Sequence, residues 1–379
     1  MVLFEKKIKA IKLKKILTNR FLRNAGWLGS AELVNRIFRL GTTIVIARAF
    51  TEEDHGLMAI IYTTYEFATI LPLKGGIGSK IVQAKAEELE AICNTAYWLN
   101  WLVCSVVFIV QCCAAFLIAW FFKDNKLILP LCTVALVYFI YPFFLVQGAL
   151  IERENRLKVT ATCYAVQGMI SNIITAILAL LGMGVWAVVW SIVLGAPVWM
   201  IILLRQQKWR PKKFSGFQHW RKILAFAKNI LGIEILNKLR MNIDYLIVGK
   251  FLGIEALGLY YFAFNAGSGI TMNVINSLIW PLFPHLCSVR ENFKNLQKQY
   301  FKSVKTIALI VIPLVLLQSS LAPLYVPIVF SEKWVKAIPI LIMICLSVIP
   351  RVFSLASNQL LNAVDKTRIT LILDMSFTI

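Results

Sequence analysis

Acidic side chains are scarce in this 379-residue chain: 19 Asp and Glu stand against 40 Lys and Arg, and only three histidines occur. No GxxxxGK[ST] run is present, which argues against ATP-driven transport by this chain alone. The eight cysteines (Cys93, Cys104, Cys112, Cys113, Cys132, Cys163, Cys287 and Cys345) fall in no CxxC or Cys/His spacing. Most lie in apolar runs and read as small hydrophobes, so neither a metal, a disulfide nor any other cofactor is implied. His55, His219 and His285 are scattered at predicted loops and helix ends. No Ser/His/Asp or Cys/His arrangement suggests itself, and no predicted loop exceeds about 20 residues, which leaves no space for a catalytic domain. The chain is not expected to be an enzyme.

What the sequence has in abundance is apolar surface. Its hydrophobic fraction is 59% and its mean hydropathy +0.72. A soluble domain must wet its exterior and has no use for so much apolar area. Crossing a hydrocarbon core of about 30 Å takes about 20 helical residues, and runs of that length recur from Asn24 onward. The expected class is an all-α polytopic membrane protein. Helices are predicted over 24–50, 57–73, 94–122, 128–150, 159–181, 185–204, 223–250, 257–283, 304–330 and 337–363, with an eleventh beginning near Ile369 and cut off at Ile379.

The net charge of +21 would suggest nucleic acid in a soluble protein. In a membrane protein it is explained by the Lys/Arg excess of cytoplasmic loops, and no nucleic-acid partner is expected. Residues 1–23 form a basic leader without the apolar core and cleavage site of a signal peptide. The loop 205–222 carries Arg205, Lys208, Arg210, Lys212, Lys213, Arg221 and Lys222 and no acid, whereas the alternate loops are short and nearly neutral. The asymmetry predicts a multi-pass protein of a bacterial-type inner membrane with a cytoplasmic amino terminus.

The chain also repeats itself. Residues 32–60 align without a gap onto 234–262, bringing Glu32 onto Glu234, Asn35 onto Asn237, Arg36 onto Lys238, Arg48 onto Lys250, Gly56 onto Gly258 and Leu57 onto Leu259. Weaker matches follow: Pro130 and Pro142 with Pro339 and Pro350, and VQGALIERENR with NQLLNAVDKTR. The expected organisation is a first six-helix bundle (24–204), a basic linker (205–222) and a second, incomplete bundle of about four and a half helices (223–379). These would be parallel repeats around a central cavity.

Ionised groups inside membrane helices are costly, at about 3 kcal/mol each even on lenient scales. Glu32, Arg36 and Arg39 recur at i, i+4 and i+7 on one stripe of the first helix, with Asn35 adjoining. The seventh helix carries Glu234, Asn237, Lys238, Arg240 and Asp244. Two explanations stand. Glu32–Arg36 and Glu234–Lys238 are i, i+4 pairs in the favoured order and can neutralise themselves within one helix. Alternatively, the stripe lines a wet interior and meets an anionic ligand. Arg39 has no acid on its own helix, and its guanidinium fork suits a phosphate or diphosphate. Glu66 and Arg351 are further lumen candidates. Arg48 and Lys250 are expected to snorkel at the outer ends. Trp98, Trp101, Trp120, Trp186, Trp190, Trp209, Trp220, Trp280 and Trp334 read mainly as an interfacial belt. The run GGIGSK (75–80) is expected to break the helix before an amphipathic segment.

The segments ARAFTEEDHGLMAI, GKFLGIEALGLYYF, GMGVWAVV and FSEKWVKAIPIL, with the WRPK loop, resemble the polysaccharide-transporter family of the multidrug/oligosaccharidyl-lipid/polysaccharide exporter superfamily. That resemblance implies two six-helix bundles, alternating access, and a cargo of oligosaccharide joined through diphosphate to a polyprenol. It assigns the anionic head to Arg36, Arg39, Lys238 and Arg240, with Asn35 and Asn237 beside them, and leaves Glu32, Glu234 and Asp244 as structural or coupling charges. Many members have an acidic residue in the loop after the second helix, where this chain has Lys74–Gly75–Gly76, so nothing carries over there. The function this implies is flipping of lipid-linked repeat units, with membrane lipid, polymerase and glycosyltransferases as partners. The rival expectations are a cation-coupled drug or small-molecule exporter of the same superfamily, a membrane-embedded polymerase or ligase, and a non-transporting scaffold for assembly enzymes.

Overall fold

The computed structural model describes residues 20–74, 77–212, 220–289, 291–364, 366 and 369. Most of the basic leader, the centre of the linker, Gly75–Gly76 and all but Ile369 of the expected eleventh helix lie outside these residues. Among the described residues the regular structure is helical, without strands. Two compact units divide at Asp244/Tyr245, inside a helix rather than in the basic linker.

The first unit contains α1 (Arg20–Ala49), α2 (Glu52–Thr69), α3 (Ile77–Gln83), α4 (Leu89–Phe122), α5 (Ile128–Ala135), α6 (Leu145–Arg153), α7 (Leu157–Leu180), α8 (Trp186–Gln206) and most of α9 (Trp220–Leu252). The second contains the end of α9, then α10 (Ile254–Ile279), α11 (Leu282–Val289), α12 (Phe293–Tyr325) and α13 (Ile338–Ala363).

Seven segments of the described residues are long and apolar enough to cross a membrane: 52–83, 89–122, 125–143, 157–180, 186–206, 293–330 and 332–363. The other three predicted spans form helices α1, α9 and α10, but fall outside this set. Two carry the intramembrane charges, and α10 is diluted by Glu255, Asn265, Asn273 and Asn276. The expected continuous helix over 128–150 is broken. α5 ends at Ala135, short 3₁₀ turns cover Leu136–Phe139 and Tyr141–Phe143, and α6 resumes at Leu145. Pro142 lacks the N–H that a continuing helix requires. Side chains supply partners at the break: Gln111 Nε2 donates to the Leu131 carbonyl at 2.8 Å, and the Tyr138 hydroxyl donates to Gln111 Oε1 at 2.6 Å. A broken span is tolerated where its backbone is buried in protein in this way.

Each end of the first unit is tied by polar contacts. At one end Thr51 caps α2 in a reciprocal box with Asp54. Asp54 Oδ1 also accepts from the Val185 amide at 3.3 Å, beside Gly184 at φ +53°, where a Cβ would fall 2.7 Å from that oxygen. Only glycine fits there without strain. Glu53 pairs with Lys126 in the α4–α5 turn. The TEEDHG and GMGVW segments thus clasp one another. At the opposite end Arg153 donates to the Ile81 and Val82 carbonyls at the C-terminus of α3. Arg156 reaches Glu154 and Gln206, Gln207 Nε2 donates to Glu154, and Lys212 pairs with Glu90. These partners hold the Glu154 carboxyl below the usual carboxylate range, the Gln207 hydrogen bond contributing most.

In the second unit the FSEKW segment is an anchor. Trp334 is fully buried and stacks on Phe262 of α10, with ring centroids 4.1 Å apart and planes at 17°. Phe330 meets the same ring edge-on. Trp334 therefore belongs to the core and not to the expected interfacial belt. Trp120 and Trp280 are exposed, at 78% and 82%. α10 approaches α13 closely at Gly267, where a Cβ would meet Leu341 and Cys345 at 3.3 Å. Gln318 of α12 donates to the Ala266 and Gly267 carbonyls and accepts from Thr271.

Candidate functional site

The stripe on α1 is ordered by its packing against α7. Asn35 Nδ2 donates to the Tyr164 carbonyl at 3.1 Å, and the Thr42 hydroxyl contacts the Asn172 carbonyl at 3.2 Å. Because 35 pairs with 164 and 42 with 172, the two helices run parallel. Gly168 sits between these contacts, and a Cβ there would lie 2.0 Å from Asn35 Oδ1. The missing side chain admits Asn35, in the small-residue manner of membrane helix contacts. Asn172 Nδ2 donates back to the Gly168 carbonyl at 2.7 Å. Asn35 is thus a packing residue of the α1–α7 seam, although its buried Oδ1 lacks a hydrogen bond among the described residues.

Beside that seam lie Glu32, Arg36 and Arg39. Arg36 Nε donates to Glu32 Oε1 at 3.0 Å, with both side chains more than a third exposed. The intrahelical pair offered by the sequence forms. Arg39 is exposed and has no ion-pair partner among the described residues. Tyr164 of α7 lies within electrostatic reach of Glu32, Arg36 and Arg39. The local chemistry is therefore an acid, two guanidinium groups and a phenol on adjoining faces of two helices, able to hold an anion through charge and hydrogen bonds.

A second cluster joins α9 to α2. Lys238 Nζ lies 2.5 Å from Glu66 Oε2, and Asn242, whose Nδ2 donates to the Lys238 carbonyl, accepts from the Thr63 hydroxyl at 3.5 Å. The pairing of 63 with 242 and 66 with 238 makes these helices antiparallel. Glu66 thereby gains the partner its sequence did not reveal. Asn237 and Arg240 are exposed on α9, Glu234 and Asp244 are half-buried on the same helix, and Arg351 of α13 is exposed. Among the described residues no hydrogen bond or ion pair joins the α1 cluster to Asn237, Lys238 or Arg240. No group of His, Cys, Asp and Glu among the described residues has the arrangement of a metal site.

Sequence reasoning missed Tyr164, Gly168 and Asn172. Their i, i+4, i+8 spacing marks them as one face of the helix. It missed Thr42 too, which follows Asn35 by two turns.

A family profile described as "Polysaccharide biosynthesis protein" matches residues 45–339. The teichuronic acid biosynthesis protein TuaB of Bacillus subtilis is 23% identical over 353 residues, spanning 92% of this chain and 72% of that protein. The lipopolysaccharide biosynthesis protein WzxC of Escherichia coli is 25% identical over 343 residues, spanning 87% and 67%. Among solved structures, the lipid II flippase MurJ in an inward closed conformation matches with a TM-score of 0.69 at 14% identity, over 91% of this chain and 77% of that one. An inward-facing multidrug-resistance transporter of the MATE family within the MOP superfamily matches at 0.65 and 15%, over 91% and 84%. These structural likenesses concern the fold. With its matched region covering most of its length and its helices those of a multi-pass membrane protein, the chain belongs to the polysaccharide biosynthesis protein family.

Proposed function

We propose that this protein is a flippase that moves polyprenyl-diphosphate-linked oligosaccharide repeat units across the cytoplasmic membrane for polysaccharide assembly. The observation that carries the reading is Arg39: a guanidinium well inside α1, which this reading sets in the membrane, exposed, next to Arg36 and Tyr164, and without an ionic partner among the described residues. A charge in that setting needs a counter-ion, and a diphosphate matches the bidentate fork. Family membership and the names of the relatives agree with a cargo of polysaccharide precursors.

In this reading Arg39 and Arg36 take the diphosphate, with Lys238 and Arg240 of α9 as the second set of cations and Asn35 and Asn237 in supporting positions. Glu32, Glu234 and Asp244 keep the cations oriented and limit the net charge. Sugar hydroxyls lose their water partners in hydrocarbon, and polar and charged side chains along the path replace them while the polyprenyl tail stays in lipid. The basic leader and linker favour a cytoplasmic amino terminus in an inner membrane. Glycosyltransferases that build the cargo and a polymerase that consumes it are the natural partners, and the chain itself performs no bond chemistry.

Arg39→Ala and Arg36→Ala, introduced into the gene in a cell that depends on it, test the assignment. Loss of surface polysaccharide at normal protein level is the expected result, with partial function in Arg39→Lys. Normal polymer in both alanine variants refutes it.

A further inference from the structure

The N-terminal three turns of α12 carry a charge pattern that the helix itself disfavours. Lys294, Lys298, Lys302 and Lys305 are all exposed. Their spacing (i, i+4, i+8, i+11) sets them on one face. The 33-residue helix contains no Asp or Glu. Like charges at i, i+4 repel, and cations near a helix N-terminus oppose the macrodipole. None of the four lysines has an ion-pair partner among the described residues.

The stripe points away from the rest of the second unit. Leu296 and Ile307 are buried on the opposite side, and the Tyr300 hydroxyl meets Ser357 of α13 there at 3.2 Å. Along the outward face the lysines give way to Leu309 and Leu316, exposed at 72% and 50%, with Phe301 at 60% alongside the lysines. A face that changes from leucine to lysine within one turn marks the boundary between acyl chains and headgroups. Topology alone does not demand the stripe: α4, a membrane span of 34 residues, has Glu90 in its first turn and no Lys or Arg.

We infer that this face of α12 is a binding site for anionic phospholipid headgroups. Lys302 and Lys305 meet the phosphates at the boundary. Lys298 and Lys294 extend the positive field about 16 Å along the helix, beyond the first headgroup layer. Leu309 and Leu316 contact the acyl chains beneath. The inference stands apart from the diphosphate reading of α1, since it uses a different helix in the other unit.

The test is native mass spectrometry of the full chain titrated with phosphatidylglycerol or phosphatidylcholine. Phosphatidylglycerol is expected to be retained about tenfold over phosphatidylcholine, and the preference to fall in about 0.5 M salt. The variant K294Q/K298Q/K302Q/K305Q should lose the preference, and the corresponding four-arginine variant should keep it. Equal retention of both lipids by the unaltered protein overturns the inference, a result that does not depend on any variant folding. So does an undiminished preference in the glutamine variant. Displacement of phosphatidylglycerol by inorganic pyrophosphate overturns it as well, by reassigning the lysines to a diphosphate.

Discussion

Lys238 of α9 and Glu66 of α2 form an ion pair between two antiparallel helices, one turn away from the Thr63–Asn242 contact. The Lys238 side chain is 20% exposed and that of Glu66 44%. Removing Glu66 strands Lys238 in a poorly solvated place, and removing Lys238 leaves Glu66 partly solvated but without its partner. Lys238→Met and Glu66→Gln are each expected to destabilise the protein by about 1–2 kcal/mol, less than a fully buried pair because Glu66 is partly solvated. The double variant should recover part of the loss. Thermal melts in detergent measure this, and additive losses would mean the pair contributes nothing specific.

The α1–α7 seam depends on the absence of a side chain at Gly168. Gly168→Ala drives a methyl into Asn35 Oδ1 and should cost about 1–3 kcal/mol through overpacking. Asn35→Ala in the same chain should relieve the strain. A Gly168→Ala protein as stable as the parent would show that the helices separate freely.

Trp334→Ala removes the ring that stacks on Phe262. A loss of about 3–5 kcal/mol is expected, read as reduced accumulation and a lowered melting temperature. Trp334→Phe should retain much of the stack. The same substitution at Trp120, which is 78% exposed, should leave the melting temperature nearly unchanged.

The lowered pKa of Glu154 gives a direction for pH. A carboxyl with a folded pKa below its unfolded value contributes stability above the unfolded pKa and loses it as pH falls through the folded one. Acidification through and below the usual carboxylate range should therefore release the contacts of Glu154 with Gln207 and Arg156. Limited proteolysis after Lys208 and Lys212 should accelerate at acid pH, and Glu154→Gln should flatten that response.

If the cargo crosses as a diphosphate anion, an inside-negative potential assists outward movement by about 2.3 kcal/mol per charge per 100 mV. A flipping assay in vesicles with an imposed potential should show faster outward transfer. Equal rates with and without the potential would require a co-transported cation.

Much of this architecture was legible in the sequence because the bilayer limits the choices: runs of apolar residues can only be spanning helices. The Glu32–Arg36 pair followed from i, i+4 spacing alone. The break at Pro142 was harder to read, since a proline in a membrane helix is consistent with either a kink or a break. Trp334 was mistaken for a belt residue because burial is a tertiary property and its position near a helix end is a local one. The Lys238–Glu66 pair was invisible for the same reason: its members stand 172 positions apart. The packing role of Asn35 was invisible for the same reason, because Gly168, which makes room for it, lies far along the chain.

The polarity of α1 has a consequence for how the protein is made. Its charged stripe keeps it out of the group of helices apolar enough to partition into a bilayer on their own. Its packing partner α7 begins only at Leu157. The contacts that receive α1, from Tyr164 to Asn172, are therefore made more than a hundred residues after it in the chain.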